Sequence, residues 1–322
     1  MIGTVIDGDF EVVRLLGGGS HADVYQASQR SVGNRTVALK ILSRLYLGLN
    51  ESDVRRAAAS LLREADLLGG LHAACFVDVY RTGVLADKRP YIALEFAEGK
   101  TLASLTAEGE RLPLAQVVDL LHQWAEGLAE LHARGWVHRD LTPANVAVSE
   151  TVFGTQRIQT YDFGTATQIS SRADRHRVGY DRDRPAGTPA YMSPEQAAGG
   201  VVDGRSDQYA LAAIAYELLT GLRPLVVETQ GAAAQLDALR GTAPIPSKPL
   251  GPLRPDLPKA VEQAIHTALD RDPDRRHASV QRFVQVLERA ARGVVEAAPS
   301  RWPRWLGALP FVRLLLQDGA RR

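Results

Sequence analysis

The stretch TVALKIL (residues 36–42) places one ammonium group, Lys40, in an otherwise apolar run of the kind that pairs into a sheet. A cation at the end of a half-buried strand is costly to strip of water unless an anion or a carboxylate meets it. No other feature of the chain constrains its folding as tightly, because the strand must lie against something that supplies the opposite charge. The segment DVRRAAASLLREADLLGGLH (53–72) offers a carboxylate. Its apolar residues recur at helical spacing, it stops at Gly69-Gly70, and Glu64 sits among Leu61, Leu62, Leu67 and Leu68. A mid-helix glutamate is ordinarily solvated. Lys40 is the reason to read Glu64 as its partner.

Upstream, FEVVRLL (10–16) and DVYQAS (23–28) alternate as strands do, and GGGSHA (17–22) joins them. A glycine-rich turn lets backbone N–H groups approach phosphate oxygens, since no Cβ intervenes. By itself such a turn is weak evidence, and a plain hairpin is the default reading. Val24 follows the turn by two residues, where it could cover an apolar base, and YIALEFAEG (91–99) reads as a strand running into a loop.

Further on, VHRDLTPANVAV (137–148) crowds an imidazole, a guanidinium, a carboxylate and a carboxamide into a turn-rich loop that leads to a strand. Asp140 and Asn145 are five apart, and Asp162 of YDFGTA follows Asn145 by 17 positions. Taken singly, Asp140-Leu-Thr-Pro reads as a capped turn and Asp162-Phe-Gly as a reverse turn. Taken together with GGGSHADV, VALK, the helical Glu64 and SPE, in this order and spacing, the set resembles the eukaryotic-type protein kinase family. GTPAYMSPEQAAGG (187–200) is most similar to its bacterial serine/threonine branch. The resemblance covers about residues 8–292. It implies an α+β, bilobal protein kinase fold, with a small β-rich lobe at 8–97, a larger mostly helical lobe at 98–292, and ATP between them. Residues 293–322 form a C-terminal tail of unassigned role.

The same resemblance implies roles for particular residues. Lys40, positioned by Glu64, would hold the α- and β-phosphates, and Asp140 would orient the acceptor hydroxyl and take its proton. Asp162 and Asn145 would ligate Mg2+, with Mn2+ as an alternative ion. Leu16, Gly17, Gly18, Gly19 and Ala22 would line the phosphate-covering turn. Val24, Ala38 and Ala147 would sandwich the adenine, Leu94 would stand as gatekeeper, and the backbone of Glu95 and Ala97 would face the base. Glu195 would pair with Arg276, and Asp207 would hydrogen-bond the catalytic loop from beneath. The activity implied is transfer of the γ-phosphoryl group of Mg-ATP to serine or threonine hydroxyls of protein substrates, the chain itself included.

Two departures from the family pattern stand out. Ala22 replaces the third glycine of the turn, and Thr142 replaces the lysine that usually follows the catalytic aspartate by two residues. Losing that cation where charge moves slows transfer rather than abolishing it. Arg139 normally implies a phosphorylated hydroxyl in the activation segment, yet residues 172–186 contain neither serine nor threonine. Asp181 or Asp183 is read as an acidic substitute pairing with Arg139, with a solvated loop as the plain alternative. Thr188 is read as lining the substrate site near Asp140.

Composition narrows the field. Of 322 residues, 45% are hydrophobic and 23% charged, with 38 basic against 37 acidic side chains, so nothing suggests a nucleic-acid partner. The single cysteine, Cys75, forbids an internal disulfide and reads as a small core residue. The N-terminus lacks a signal-peptide pattern, so the expected location is the cytoplasm. WPRWLGALPFVRLLL (302–316) is apolar but broken by Arg304, Pro310 and Arg313; a docked tail helix is favoured over membrane contact. Two alternatives remain at this level: a pseudokinase scaffold, for which Thr142 is the best argument, and a small-molecule phosphotransferase, which usually lacks a GTPAYMSPE segment. Oligomeric state is not encoded in any motif of the chain.

Overall fold

The structure, a computed structural model, describes residues 1–18, 22–48, 50–151, 154–169, 187–224, 231–241 and 248–297. The chain divides into two compact units, one of residues 1–98 with 159–164, the other of residues 99–158 with the chain from 165 onward.

The first unit is built on six antiparallel strands: β1 (Val5–Ile6), β2 (Phe10–Gly18), β3 (Ala22–Gln29), β4 (Arg35–Leu42), β5 (Val79–Val84) and β6 (Pro90–Glu95), in the order β1-β2-β3-β4-β6-β5. Alternation along β4 decides which face does what. Val37, Leu39 and Ile41 point to one side, where they are fully buried with Phe10, Val12, Ala27, Tyr91 and Ala93. Ala38 and Lys40 therefore share the other face. Register extends that face across the sheet, because Lys40 lies opposite Val24 and Ile92, and Ala38 lies opposite Leu94. Helix α1 (Glu51–Gly69) packs on strands β4, β5 and β6. It begins two residues earlier than its apolar pattern suggests, because the Asn50 side chain caps it by accepting the Asp53 N–H. Ala57, Leu61, Glu64, Ala65 and Leu68 form its buried stripe. Cys75 is buried and its carbonyl accepts the N–H of Thr160, consistent with a core role.

The second unit is mainly helical. Helix α3 (Leu114–Ala133) packs on α5 (Gly204–Thr220) and α8 (Val280–Ala297), and α7 (Lys259–Ala268) contacts both of those. Trp124, Leu120, Leu128, Leu211, Ile214, Ile265, Phe283 and Leu287 are fully buried among them. Helix α5 is buried nearly all round, with Ala212, Ala213 and Ala215 allowing close approach of its neighbours. Gly221 ends it at φ +70°, where an added Cβ would also run into the carbonyl of Gly109. Short elements complete the unit: α2 (Leu102–Leu105), α4 (Pro194–Ala197), α6 (Ala232–Arg240), and two small ladders. In one, β7 (Lys100–Thr101) pairs with β9 (Val146–Glu150); in the other, β8 (Trp136–Val137) pairs with β11 (Thr167–Gln168). Strand β10 (Gln156–Thr160) adds to the first ladder beside β9. Residues 138–145 are thus held between β8 and β9. A β-rich first unit and a larger helical second unit bear out the α+β expectation.

Candidate active site

Lys40 finds the carboxylate its strand requires. Its Nζ lies 2.7 Å from both Glu64 carboxylate oxygens and 3.0 Å from Oδ1 of Asp162. Side-chain exposure is graded, at 13% for Lys40, 2% for Glu64 and 44% for Asp162, so the pair is sealed on the Glu64 side and open at Asp162. Two backbone groups fix the cluster. The Phe163 N–H donates to Glu64 Oε1 at 3.3 Å, and the Gly164 N–H donates to Asp162 Oδ1 at 3.1 Å. Phe163 itself is buried edge-on against Phe76, with ring centroids 4.9 Å apart. Burial opposes the charge on Lys40, but the two adjacent carboxylates outweigh it and hold the ammonium above the ordinary lysine range. Burial raises the Glu64 carboxyl and the Asp162 charge adds to this, while Lys40 pulls the other way.

In the second unit the decisive group is Asp207, on the first turn of α5 and 1% exposed. Its Oδ2 accepts the backbone N–H of His138 at 2.9 Å and meets His132 Nε2 at 2.7 Å; its Oδ1 accepts the backbone N–H of Arg139 at 2.9 Å. Burial would raise this carboxyl, yet the hydrogen bond and charge of His132, the charge of His138 and the Arg139 N–H together hold it below the ordinary aspartate range. The grip explains how Arg139 adopts φ +71°, a left-handed conformation uncommon for a residue with a side chain. Arg139 Nη1 donates to the Thr167 hydroxyl at 2.9 Å. Asp140 follows, half-buried, and its Oδ1 accepts the backbone N–H of Thr188 at 2.8 Å. Asn145 closes a short 3-10 turn, Pro143–Asn145, its N–H donating to the Thr142 carbonyl at 3.1 Å. Thr142 is buried at 4% exposure, and Ala147 at 4% lies in β9.

The remaining sequence candidates that are described lie within their own units. Val24, Ala38, Lys40 and Leu94 share one sheet face, as the register above dictates. The Glu95 N–H donates to the Asp78 carbonyl at 2.8 Å. Leu16, Gly17 and Gly18 end β2 and Ala22 begins β3; among the described residues, an added Cβ at Gly17 would meet nothing within 4 Å. Ala97 follows β6 in a half-buried loop. Gly19, Ser170, Ser171, Asp181, Asp183 and residues 302–316 lie outside the described residues. Glu195 and Arg276 form a bidentate pair at 2.9 and 2.8 Å, with the Arg276 side chain wholly buried.

The protein kinase domain family matches residues 10–287 of the chain. The chain belongs to this family. Among curated relatives, this kinase-family chain is 37% identical over 283 residues to the serine/threonine-protein kinase Pkn1 of Myxococcus xanthus, a match covering 87% of the chain and 38% of that protein. It is 33% identical over 282 residues to the serine/threonine-protein kinase PrkC of Bacillus subtilis, covering 87% and 40%. It is 32% identical over 308 residues to the serine/threonine-protein kinase pkn3 of M. xanthus, covering 93% and 53%. The chain therefore spans between about two-fifths and about half the length of these relatives. Among the described residues, no helix is long and apolar enough to cross a membrane.

Two contacts of this kinase-family site were not read from the sequence. His132 meets Asp207, and Gly204 makes room for its ring, since an added Cβ would lie 2.6 Å from Nδ1. Gln196, 2% exposed, donates from Nε2 to the Arg139 carbonyl at 2.7 Å. A polar residue placed beside the half-buried Glu195 was the available signal.

Proposed function

We propose that the chain is a Mg-ATP-dependent protein kinase acting on serine or threonine hydroxyls of protein substrates, its own included. The observation that carries the reading is the Lys40 ammonium held between the Glu64 and Asp162 carboxylates in a chain of this family. In the reaction, the oxygen of the acceptor hydroxyl bonds to the γ-phosphorus as its bond to the ADP oxygen breaks. Asp140 takes the hydroxyl proton, its carboxylate already aimed by the Thr188 N–H. Lys40 offers its charge to the α- and β-phosphates, and Glu64 fixes where that charge stands.

The donor set fits magnesium. Among the described residues no group of three or more His, Cys, Asp or Glu side chains is placed to hold a metal by protein ligands alone. Magnesium does not ask for one, because it keeps waters and phosphate oxygens beside one or two carboxylates. Asp162, with a carboxylate 44% exposed, and Asn145, with a neutral oxygen, are the residues that would hold it. When bound, the ion would cancel phosphate charge. The open space at Gly17 supports the phosphate-covering role of Leu16, Gly17, Gly18, Gly19 and Ala22, since no packing among the described residues demands a glycine there. Val24, Ala38, Leu94 and Ala147, with the backbone of Glu95 and Ala97, are assigned to the adenine.

We assign the catalytic domain to residues 8–292, leaving 293–322 outside it, and the cytoplasm, where ATP is abundant, as its place of action. The test is transfer of radiolabel from ATP to a generic protein substrate, comparing wild type with Lys40→Met and Asp140→Asn. Label on phosphoserine or phosphothreonine, lost in both variants, is the expected result. A folded wild type that binds Mg-ATP without transferring label would make the chain a scaffold instead.

A further inference from the structure

Asp140 is aimed by more than its own bond to Thr188. The peptide linking Arg139 to Asp140 is a rigid plane, so whatever holds the Arg139 carbonyl also sets the direction in which Asp140 leaves the chain. That carbonyl accepts the Gln196 side-chain amide at 2.7 Å, in a place where Gln196 is 2% exposed. On its other side, Arg139 is held by its N–H on Asp207, and its φ of +71° lies where few residues stay without such support. The Gln196 amide also lies beside Gly187, the residue before Thr188. Gly187 has φ +120°, and an added Cβ would stand 2.9 Å from Gln196 Nε2 and 3.0 Å from the Arg139 carbonyl oxygen. One amide therefore borders both backbone segments that orient the Asp140 carboxylate, the peptide before Asp140 and the residue before the Thr188 N–H.

Gln196 is itself well anchored. It belongs to α4, whose N-cap Ser193 accepts the Gln196 N–H. Its neighbour Glu195 is locked by Arg276 at 2.9 and 2.8 Å and by the Ser206 hydroxyl at 2.6 Å. We propose that Gln196 is a positioning residue for Asp140, transmitting the fixed place of α4 to the peptide that carries the catalytic carboxylate. The proposal rests on the phosphoryl-transfer reading given above. It assigns a kinetic role to a buried side chain that acts through the Arg139 carbonyl.

Two near-isosteric variants test it. Gln196→Met keeps the length and removes the donor; Gln196→Glu keeps the shape and turns an oxygen toward the carbonyl. In steady-state assays with Mg-ATP and a protein substrate, kcat is expected to fall on the order of tenfold or more in Gln196→Met and further in Gln196→Glu, with KM for ATP within about twofold of wild type. Amide hydrogen exchange should speed up for peptides covering 137–142 and 187–192, while α3 and α7 keep their protection. An unchanged kcat in Gln196→Met overturns the proposal, as does exchange that speeds up along the whole chain, which would mark general destabilisation. If wild type transfers no phosphate, the functional reading fails by itself. The exchange measurement then still decides: selective acceleration at 137–142 and 187–192 supports the positioning role, and unchanged exchange there refutes it.

Discussion

In the first unit, charges answer one another side chain to side chain: Lys40 is shared by the Glu64 and Asp162 carboxylates. In the second, Glu195 meets Arg276 in the same way, but the two carboxylates at the 138–145 loop are answered largely by the backbone, Asp207 by the N–H groups of His138 and Arg139, Asp140 by that of Thr188. The difference teaches what each arrangement is suited to. A lysine on a flexible stem, with one sealed and one exposed partner, can exchange the exposed partner for a phosphate without disturbing its strand. A carboxylate gripped by peptide groups, with a ring as third contact, moves only if the chain moves, which suits a group that must be aimed before substrate arrives.

The strongest way to break this comparison is to remove the central group of each unit. Lys40→Met and Asp140→Asn are each expected to lower kcat on the order of a hundredfold or more, read by radiolabel transfer. Only Lys40→Met should also lower the melting temperature, since it leaves Glu64 buried without its cation, at a cost of about 3 kcal/mol. Equal melting temperatures in the two variants would mean that the Lys40 pair serves chemistry alone. Next in size, Asp207→Ala strands two buried N–H groups and is expected to cost about 3 kcal/mol of unfolding free energy in urea titrations, with kcat falling as well. That difference should depend on pH in one direction. Because the folded state holds the Asp207 carboxyl below its ordinary value of 3.8, the stabilisation is complete above that value and is lost as the pH falls through it and lower. The gap between wild type and Asp207→Ala should therefore be full at pH 5 and shrink in stronger acid; a gap that widens on acidification would reverse the assignment. The smallest effect is expected from Thr142→Lys, a rise in kcat of a few fold as a cation returns near the moving charge. An unchanged or lower rate in a folded variant would show that the missing cation does not limit transfer.

Much of this arrangement was legible in the chain. Lys40 announced a partner because an ammonium in an apolar strand needs one, and Glu64 was the carboxylate that a helical stripe could deliver. The α+β division was implied by the family resemblance, with strand alternation over 10–42 and helical spacing over 53–72 in keeping with it. Glu195 with Arg276, and Asp207 beneath the loop, were read through family resemblance, and the structure places both as expected. What escaped were contacts set by conformation rather than by composition. The Thr188 contact with Asp140 was foreseen as a neighbourhood, yet the group that makes it is a backbone N–H, which no side-chain pattern encodes. The Gln196 bond depends on the left-handed turn at Arg139 and on the absence of a Cβ at Gly187, two features visible only once the backbone is traced. The Asn50 cap was missed because the apolar pattern of α1 starts after its first turn.

Residues 159–164 complete the first unit, with Phe76 bridged to Thr160 and Lys40 bonded to Asp162, although the sixty residues 99–158 belong to the second. During synthesis at about 5–20 residues per second, the early strands therefore wait roughly 3–12 s for their last segment to leave the ribosome. Until then the nascent sheet carries a Lys40–Glu64 pair lacking its third member, and a charge cluster begun by the first ninety-eight residues is completed only once α2 and α3 have been translated, with α4 to α8 still to come.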